Sequence, residues 1–259
     1  MKLGIYQTAS PAGDVDGAFA TIEQALKQAA TADVEMLVCP ELFLPGYNQF
    51  ATHHRLAQSI GGPWEQELGR LAKRAGCGLT IGWAEVAGAE VFNSASTFDA
   101  MGRKLAHYRK IQLFGPLENA NFTAGSTYTI FDLKGYKTAL LICYDIEFAQ
   151  HSWNLAQQGV DLILIPTANP EPFGHVSDIL VPARAVENDM TIAYANYCAD
   201  EAEIRYSGRS VIVGPDARPL AKAGLDTALL IADLADINKI EPAMLSTQHH
   251  DFRKIGDAP

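Results

Sequence analysis

Cys143 stands at the end of an apolar run, residues 136–142, that has the length of one buried strand. The polar residues after it predict a turn and then a helix, so this segment indicates an α/β fold. Two other strand-length segments end in the same way, one leading to Glu41 and the other to Lys110. Because α/β sheets carry their chemistry outside the carboxyl ends of the strands, we expect these three groups to meet at one edge.

Helical and strand patterns alternate along the whole chain, and no linker or low-complexity segment divides them. Asp14 or Asp16 can cap a first helix, Pro63 is placed to begin a second, and Gly76 to end it. We therefore expect a single domain, residues 1–259, with two sheets packed face to face and helices outside them. An open, doubly wound single sheet is the alternative.

Three segments are harder to place. Residues 111–126 are rich in glycine, proline and asparagine and predict a loop long enough to suggest a function. Residues 237–245 predict a short helix. Residues 246–259 lack periodicity and are expected to form a C-terminal arm.

Composition narrows the class of function. The chain has 30 acidic and 20 basic residues and a formal net charge of -10, with the charges scattered. A nucleic-acid partner is not expected, because phosphate binding needs a clustered basic face. The longest apolar stretches are strand-sized, so no membrane span is predicted. The first six residues resemble a strand rather than a signal peptide, which makes the cytoplasm the expected location.

The cysteines and histidines show no ligand spacing for a metal. No CxxC pair or Cys/His pattern is present, so neither a zinc site nor a disulfide framework is expected. Three cysteines are expected to be small buried residues: Cys39, Cys77 and Cys198. The side chains of adjacent histidines diverge on helices and strands alike, which argues against a metal role for two pairs, His53-His54 and His249-His250.

The residues at the strand ends are suited to acyl transfer. A cysteine attacks as a thiolate, so Cys143 needs a base or a neighbouring cation at neutral pH. No histidine follows a strand in a suitable place, which leaves Glu41 as the candidate base. Lys110 can stabilise the thiolate and then an oxyanion, and the backbone N–H of Tyr144 can be a second oxyanion donor.

Three sequence motifs extend this interpretation. Residues 39–47 read CPELFLPGY, residues 108–115 read YRKIQLFG, and residues 141–148 read LICYDIEF. In this order they resemble the glutamate, lysine and cysteine motifs of the nitrilase superfamily of carbon–nitrogen hydrolases. The resemblance covers nearly the whole chain, including residues 161–169 and 182–188.

The resemblance implies a four-layer αββα sandwich in which Glu41 is the base, Lys110 the oxyanion stabiliser and Cys143 the acylated nucleophile. Members of the family often carry a second glutamate shortly after the lysine, and Glu118 stands at the matching place. The resemblance also implies that no metal or organic cofactor is needed and that the protein is a homodimer or a dimer-based oligomer. The family frequently has Pro-Glu where this chain has Ala149-Gln150, which bears on how the next helix begins.

The expected reaction is hydrolysis of a small amide to a carboxylic acid and ammonia through a cysteine thioester. The cysteine motif is more similar to amidases than to true nitrilases, and N-carbamoyl amidohydrolases and nitrilases remain alternatives. The expected pocket residues are Tyr47, Phe114, Tyr144 and Asn169. Two hypotheses of another class are a catalytically silent binding protein of the same fold and a redox sensor that uses Cys143.

Overall fold

Two mixed six-stranded sheets form the centre of the molecule. The computed structural model describes residues 1–253; the end of the predicted arm, residues 254–259, lies outside the described residues. The strands are β1 (Lys2–Gln7), β2 (Met36–Val38), β3 (Gly78–Ala87), β4 (Glu90–Phe98), β5 (Lys104–Arg109), β6 (Ile130–Leu133), β7 (Tyr136–Leu140), β8 (Leu162–Pro166), β9 (Thr191–Ala195), β10 (Asp200–Glu201), β11 (Ile204–Arg205), β12 (Val211–Val213), β13 (Pro219–Lys222) and β14 (Ala228–Asp233). The first sheet has the order β14-β1-β2-β3-β4-β5 and the second β13-β12-β9-β8-β7-β6, while β10 and β11 form a separate hairpin.

The helices begin and end where local signals allow. They are α1 (Val15–Thr31), α2 (Phe50–Leu56), α3 (Pro63–Ala75), α4 (Gly115–Asn121), α5 (Ala149–Gln157), α6 (Val181–Glu187) and α7 (Gln248–Asp251). The Asp14 side chain accepts the N–H of Gly17 at 2.9 Å and caps α1. Pro63 occupies the first turn of α3, and Gly76 ends it with a left-handed φ of 68°. All three predicted signals are confirmed.

The two sheets pack face to face with helices on their outer faces. On β2, Met36 and Val38 belong to the core that also contains Leu140 of β7, while Leu37 between them packs in the core beneath α1 and α3. This alternation is the two-residue period of a strand covered on both faces. Helix α6 packs on β9 and β12 of the second sheet. The four-layer αββα sandwich is confirmed, and the open single sheet is wrong.

Several local predictions differ from the structure. The loop predicted at residues 111–126 contains α4, and the helix predicted at 237–245 is replaced by two 3₁₀ segments, Leu234–Lys239 and Pro242–Met244. The arm carries the single turn α7, and α2 was not predicted. All of these elements have seven residues or fewer, which is too short for a 3.6-residue period to be recognised.

The remaining cysteines are buried as predicted, with exposed fractions of 0 % for Cys39 and Cys77 and 2 % for Cys198. The side chains of His53 and His54 diverge, the first buried and the second exposed. Within residues 1–253, no group of three or more His, Cys, Asp or Glu side chains is arranged to hold a metal ion. None of the helices in this part of the chain is both long and apolar enough to cross a bilayer.

Candidate active site

The structure brings Glu41, Lys110 and Cys143 together at strand ends of the two sheets. Glu41 follows β2, Lys110 follows β5 directly, and Cys143 follows β7. Their exposed fractions are 0, 1 and 9 %. The backbone N–H of Glu41 donates to the carbonyl of Thr167, just after β8, at 3.4 Å, which links the edges of the two sheets.

Lys110 is held between two carboxylates. Its Nζ lies 2.7 Å from Oε1 of Glu41 and 2.8 Å from Oε1 of Glu118, and all three side chains are shielded from solvent. Burial alone would lower the pKa of Lys110, but the Glu118 and Glu41 carboxylates outweigh it and raise this pKa well above its usual range. Lys110 is therefore a permanent cation next to Cys143.

Glu118 lies on α4 and accepts hydrogen bonds at both oxygens. Besides Lys110, its Oε1 accepts the hydroxyl of Tyr47 at 2.7 Å, and its Oε2 accepts the backbone N–H of Phe114 at 2.9 Å. The Glu118 carboxylate thus fixes the positions of Lys110 and Tyr47, and it also holds the N-terminus of α4.

Glu41 is a buried carboxylate with an altered proton affinity. Its Oε1 accepts Nδ2 of Asn93 at 2.7 Å in addition to the Lys110 ammonium. Burial raises the pKa of Glu41, and the opposing charge of Lys110 does not cancel this effect. A carboxylate whose pKa is raised is better matched to removing a proton near neutral pH.

Cys143 begins a 3₁₀ turn, Cys143–Glu147, and has a left-handed φ of 46°, which is unfavourable for a residue with a side chain. The turn is held by Asp145, whose carboxylate accepts the N–H of Ile142 at 2.9 Å and the N–H of Gln112 at 2.7 Å. The hydroxyl of Tyr108 on β5 donates to the same carboxylate at 2.8 Å. The cysteine turn is therefore tied to the strand that carries the lysine.

The electrostatic surroundings favour the thiol form of Cys143 at rest. Burial raises the pKa of Cys143 well above its usual range, and the Glu41 carboxylate raises it further. The Lys110 ammonium and the Thr167 hydroxyl act in the opposite direction without cancelling these effects. Attack by this sulfur therefore requires that a base remove its proton.

The four expected pocket residues have different surroundings. The rings of Phe114 and Tyr144 meet edge to face with centroids 5.1 Å apart, and Phe173 lies 5.9 Å from Phe114, which forms an aromatic wall beside the cysteine turn. Tyr47 is buried and bonded to Glu118. Nδ2 of Asn169 donates to the carbonyl of Phe173 at 2.8 Å, so this amide stabilises its own loop. Substrate contacts of all four stay predictions.

The sequence patterns did not identify Asn93, Tyr108 or Asp145. Each is a fully or almost fully buried polar residue, with an exposed fraction of 1 % or less. Asp145 lies inside the cysteine motif, and Tyr108 begins the lysine motif. Asn93 had a weaker signal, an amide among the apolar and small residues that follow Glu90 on β4, since buried polar groups need partners.

The chain is similar over most of its length to proteins of a known family. Residues 2–241 match the family model described as carbon-nitrogen hydrolase. The chain is 41 % identical over 237 residues to the "Hydrolase in pqqF 5'region" of Pseudomonas protegens, covering 90 % of this chain and 82 % of that protein. It is 30 % identical over 256 residues to an (R)-stereoselective amidase from Pseudomonas sp., covering 98 and 92 %.

A solved structure is similar over almost the whole fold. It is a mutant of the amidase from Nesterenkonia sp. AN1, with a TM-score of 0.86 and 33 % identity, covering 94 % of this chain and 97 % of that one. In that structure acrylamide has undergone Michael addition at the active-site cysteine.

Proposed function

Because the chain belongs to the carbon-nitrogen hydrolase family, we propose that it hydrolyses small non-peptide amides to carboxylic acids and ammonia through a thioester on Cys143. The observation that carries this proposal is the buried ion-pair cluster of Glu41, Lys110 and Glu118 at the edge where Cys143 begins its turn. The cluster combines a base and a fixed cation beside a protonated nucleophile.

In the first half-reaction Cys143 is acylated. Glu41 takes the thiol proton as Sγ bonds to the amide carbon, and the carbonyl oxygen becomes an oxyanion stabilised by Lys110 and by the N–H of Tyr144. When the C–N bond breaks, Glu41 returns the proton to the departing nitrogen, so that ammonia leaves and the thioester remains. Glu118 holds Lys110 and Tyr47 in place during these steps.

In the second half-reaction water attacks the thioester carbon. Glu41 takes a proton from this water, and the C–S bond breaks as the carboxylic acid forms. The proton then passes to Sγ, which restores the thiol. Both halves use the same base and the same cation, so the cycle needs no further co-reactant.

The family relationship and the aromatic wall support a primary amide with a small acyl group as the substrate. The similar proteins named above include two amidases, from Pseudomonas sp. and Nesterenkonia sp. AN1. Phe114 and Tyr144 offer apolar surface rather than a charged subsite. N-carbamoyl amines and nitriles are the alternative substrate classes, since their carbon centres suit the same nucleophile.

Ammonia release tests the proposal directly. The panel comprises short aliphatic amides, ω-amides, N-carbamoyl amines and nitriles, with Cys143→Ala as the control for contaminating activity. We expect release from the short amides and none from the variant. Release from another class alone would transfer the proposal to that class, and no release from any class by folded protein would favour a silent binding protein. Disulfide formation at Cys143 without turnover would favour the redox sensor.

A substitution at Gly82 tests how precisely Glu41 must be positioned for catalysis. A Cβ at this position in β3 would lie 2.6 Å from Cα and 2.8 Å from the carbonyl carbon of Glu41, and closer still to the N of Leu42. Backbone atoms cannot rotate away, so Gly82→Ala must displace Glu41. We expect kcat/KM to fall about 10²-fold, the order expected when a reacting group shifts by about 1 Å.

The matched control is Gly224→Ala, since an added Cβ there meets no atom within 4 Å. The measurement is kcat/KM for the best amide of the panel together with the free energy of unfolding of both variants. Full activity of a folded Gly82→Ala protein would show that the position of Glu41 is not critical.

We further propose that the chain forms one domain, residues 1–259, and acts as a homodimer in the cytoplasm. The core that both sheets share supports the single domain. Family members often use the C-terminal region at subunit contacts, and the apolar side chains of Met244 and Phe252 are exposed in that region here. Light scattering after size-exclusion chromatography tests the dimer, and cell fractionation tests the location.

A further inference from the structure

Asn93 contacts both members of the central ion pair. It lies on β4 with no exposed surface. Its Nδ2 is 2.7 Å from Oε1 of Glu41, and its backbone carbonyl accepts the N–H of Lys110 at 2.8 Å. One residue of a rigid strand therefore positions the base through its side chain and the cation through its backbone.

The two oxygens of Glu41 are not equivalent in this arrangement. Oε1 accepts two donors, the Lys110 ammonium and the Asn93 amide. Oε2 is buried and has no hydrogen-bond partner among residues 1–253. Donors withdraw electron density from the oxygen they contact and stabilise its charge, so the oxygen without donors is the better proton acceptor.

Asn93 also restricts rotation of the carboxylate. Rotation of the carboxylate away from this orientation would break the contacts to both Lys110 and Asn93, and the buried site offers no exposed surface at which bulk water could replace them. If Lys110 were the only donor, its ammonium group, on a flexible side chain, could move with the carboxylate as it rotates. The amide of Asn93 is fixed on the strand and makes one orientation preferred.

We propose that Asn93 is a positioning residue which directs Oε2 of Glu41, and not Oε1, to accept the proton of Cys143. This inference rests on the proposed function, because it assigns the atom that acts as base in that reaction. It gives Asn93 no contact with the substrate.

The test is Asn93→Leu, which keeps the approximate volume and removes the donor. A donor to the carboxylate stabilises its charged form, so its loss raises the pKa of Glu41. Since the deprotonated form is the base, the acidic limb of the kcat/KM profile must move to higher pH. We expect a shift of about one unit, the size of one hydrogen bond to a charged group, and about a tenfold loss of kcat/KM at pH values below the wild-type limb.

Ser94→Ala is the matched control. Ser94 is the next residue on the same strand and equally buried, but its hydroxyl donates to Glu85 at 2.6 Å, away from the site. A loss of strand stability affects both variants, whereas the acidic limb should move only in Asn93→Leu. If the leucine variant does not fold, Asn93→Ser replaces it, because the shorter side chain cannot reach Glu41.

A second readout separates this inference from the proposed function. The rate at which chloroacetamide alkylates Cys143 is measured against pH, since this reaction needs the thiolate but no amide turnover. A shifted acidic limb in Asn93→Leu and not in Ser94→Ala supports the assignment, even if no amide of the panel is hydrolysed. An unchanged limb in the folded Asn93 variant, or an equal shift in both variants, overturns it.

Discussion

Replacing Lys110 by methionine is expected to lower the free energy of unfolding by about 3–5 kcal/mol and to abolish amide turnover. Lys110 is the only cation within hydrogen-bond distance of Glu41 and Glu118 among residues 1–253, at 2.7 and 2.8 Å. Its removal leaves two buried carboxylates without a countercharge. Chemical denaturation at neutral pH measures the loss, and ammonia release measures the activity.

Two comparisons sharpen this prediction. Lys134→Met removes an exposed lysine that pairs with Glu35 at the surface, and should cost less than about 1 kcal/mol. In Lys110→Met combined with Glu118→Gln one of the stranded charges is gone, so part of the stability should return. The deficit of Lys110→Met should also shrink as the pH is lowered, because burial raises the pKa of Glu41 and its protonation removes one of the stranded charges. Wild-type stability of Lys110→Met would contradict the buried ion-pair account.

The Glu41→Gln substitution is expected to reduce turnover by about 10²–10⁴-fold while the protein stays folded. A glutamine keeps a carbonyl oxygen that can accept from Lys110 and Asn93, but it cannot accept the proton of Cys143. The change therefore separates the chemical role of the carboxylate from its structural one. Steady-state kinetics and denaturation curves of the same preparation measure both.

Glu85→Gln is the matched control for Glu41→Gln. Glu85 is also buried, but its partners are His107, Arg109 and Ser94 on β4 and β5. Burial alone would raise the pKa of Glu85, but these hydrogen bonds outweigh it and lower the pKa to about 2. The stabilisation it supplies is full above the ordinary carboxyl pKa of 4.5 and is lost as the pH falls toward 2.

Glu85→Gln should therefore lose stability at neutral pH and keep its turnover, the opposite of Glu41→Gln. At acidic pH its stability should converge with that of the wild type. Equal losses of turnover in the two variants would mean that both carboxylates affect activity only through folding. This result would contradict the role of Glu41 as the base.

Much of the fold could be predicted because its signals are local. Asp14, Pro63 and Gly76 mark helix ends through their own hydrogen bonds or backbone angles, which tertiary contacts do not need to supply. The short α4 could not be predicted in the same way. Its residues read as a loop, and its Glu118 is held by contacts to Lys110 and Tyr47 from distant parts of the chain.

The site was predicted in part for the same reason. Glu41, Lys110 and Cys143 each follow a strand-length segment and lie in motifs that resemble those of a known family, so local sequence is enough to propose the three together. The Asn93 amide donates to Glu41, which is 52 residues away in the sequence. The Asp145 carboxylate accepts from Tyr108, which is 37 residues away. No periodicity encodes such a contact, and only the packed structure shows it.

The central claim is that hydrolysis passes through an acyl group on Cys143, and partitioning to hydroxylamine tests it most directly. A primary amide and the methyl ester of the same acid are each incubated with enzyme and hydroxylamine, and the ratio of hydroxamate to free acid is measured. After the enzyme-free reaction of hydroxylamine with each substrate is subtracted, a common thioester predicts the same ratio from both substrates, with no product of either kind from Cys143→Ala. A ratio that depends on the leaving group, or products that persist in Cys143→Ala, would contradict the account.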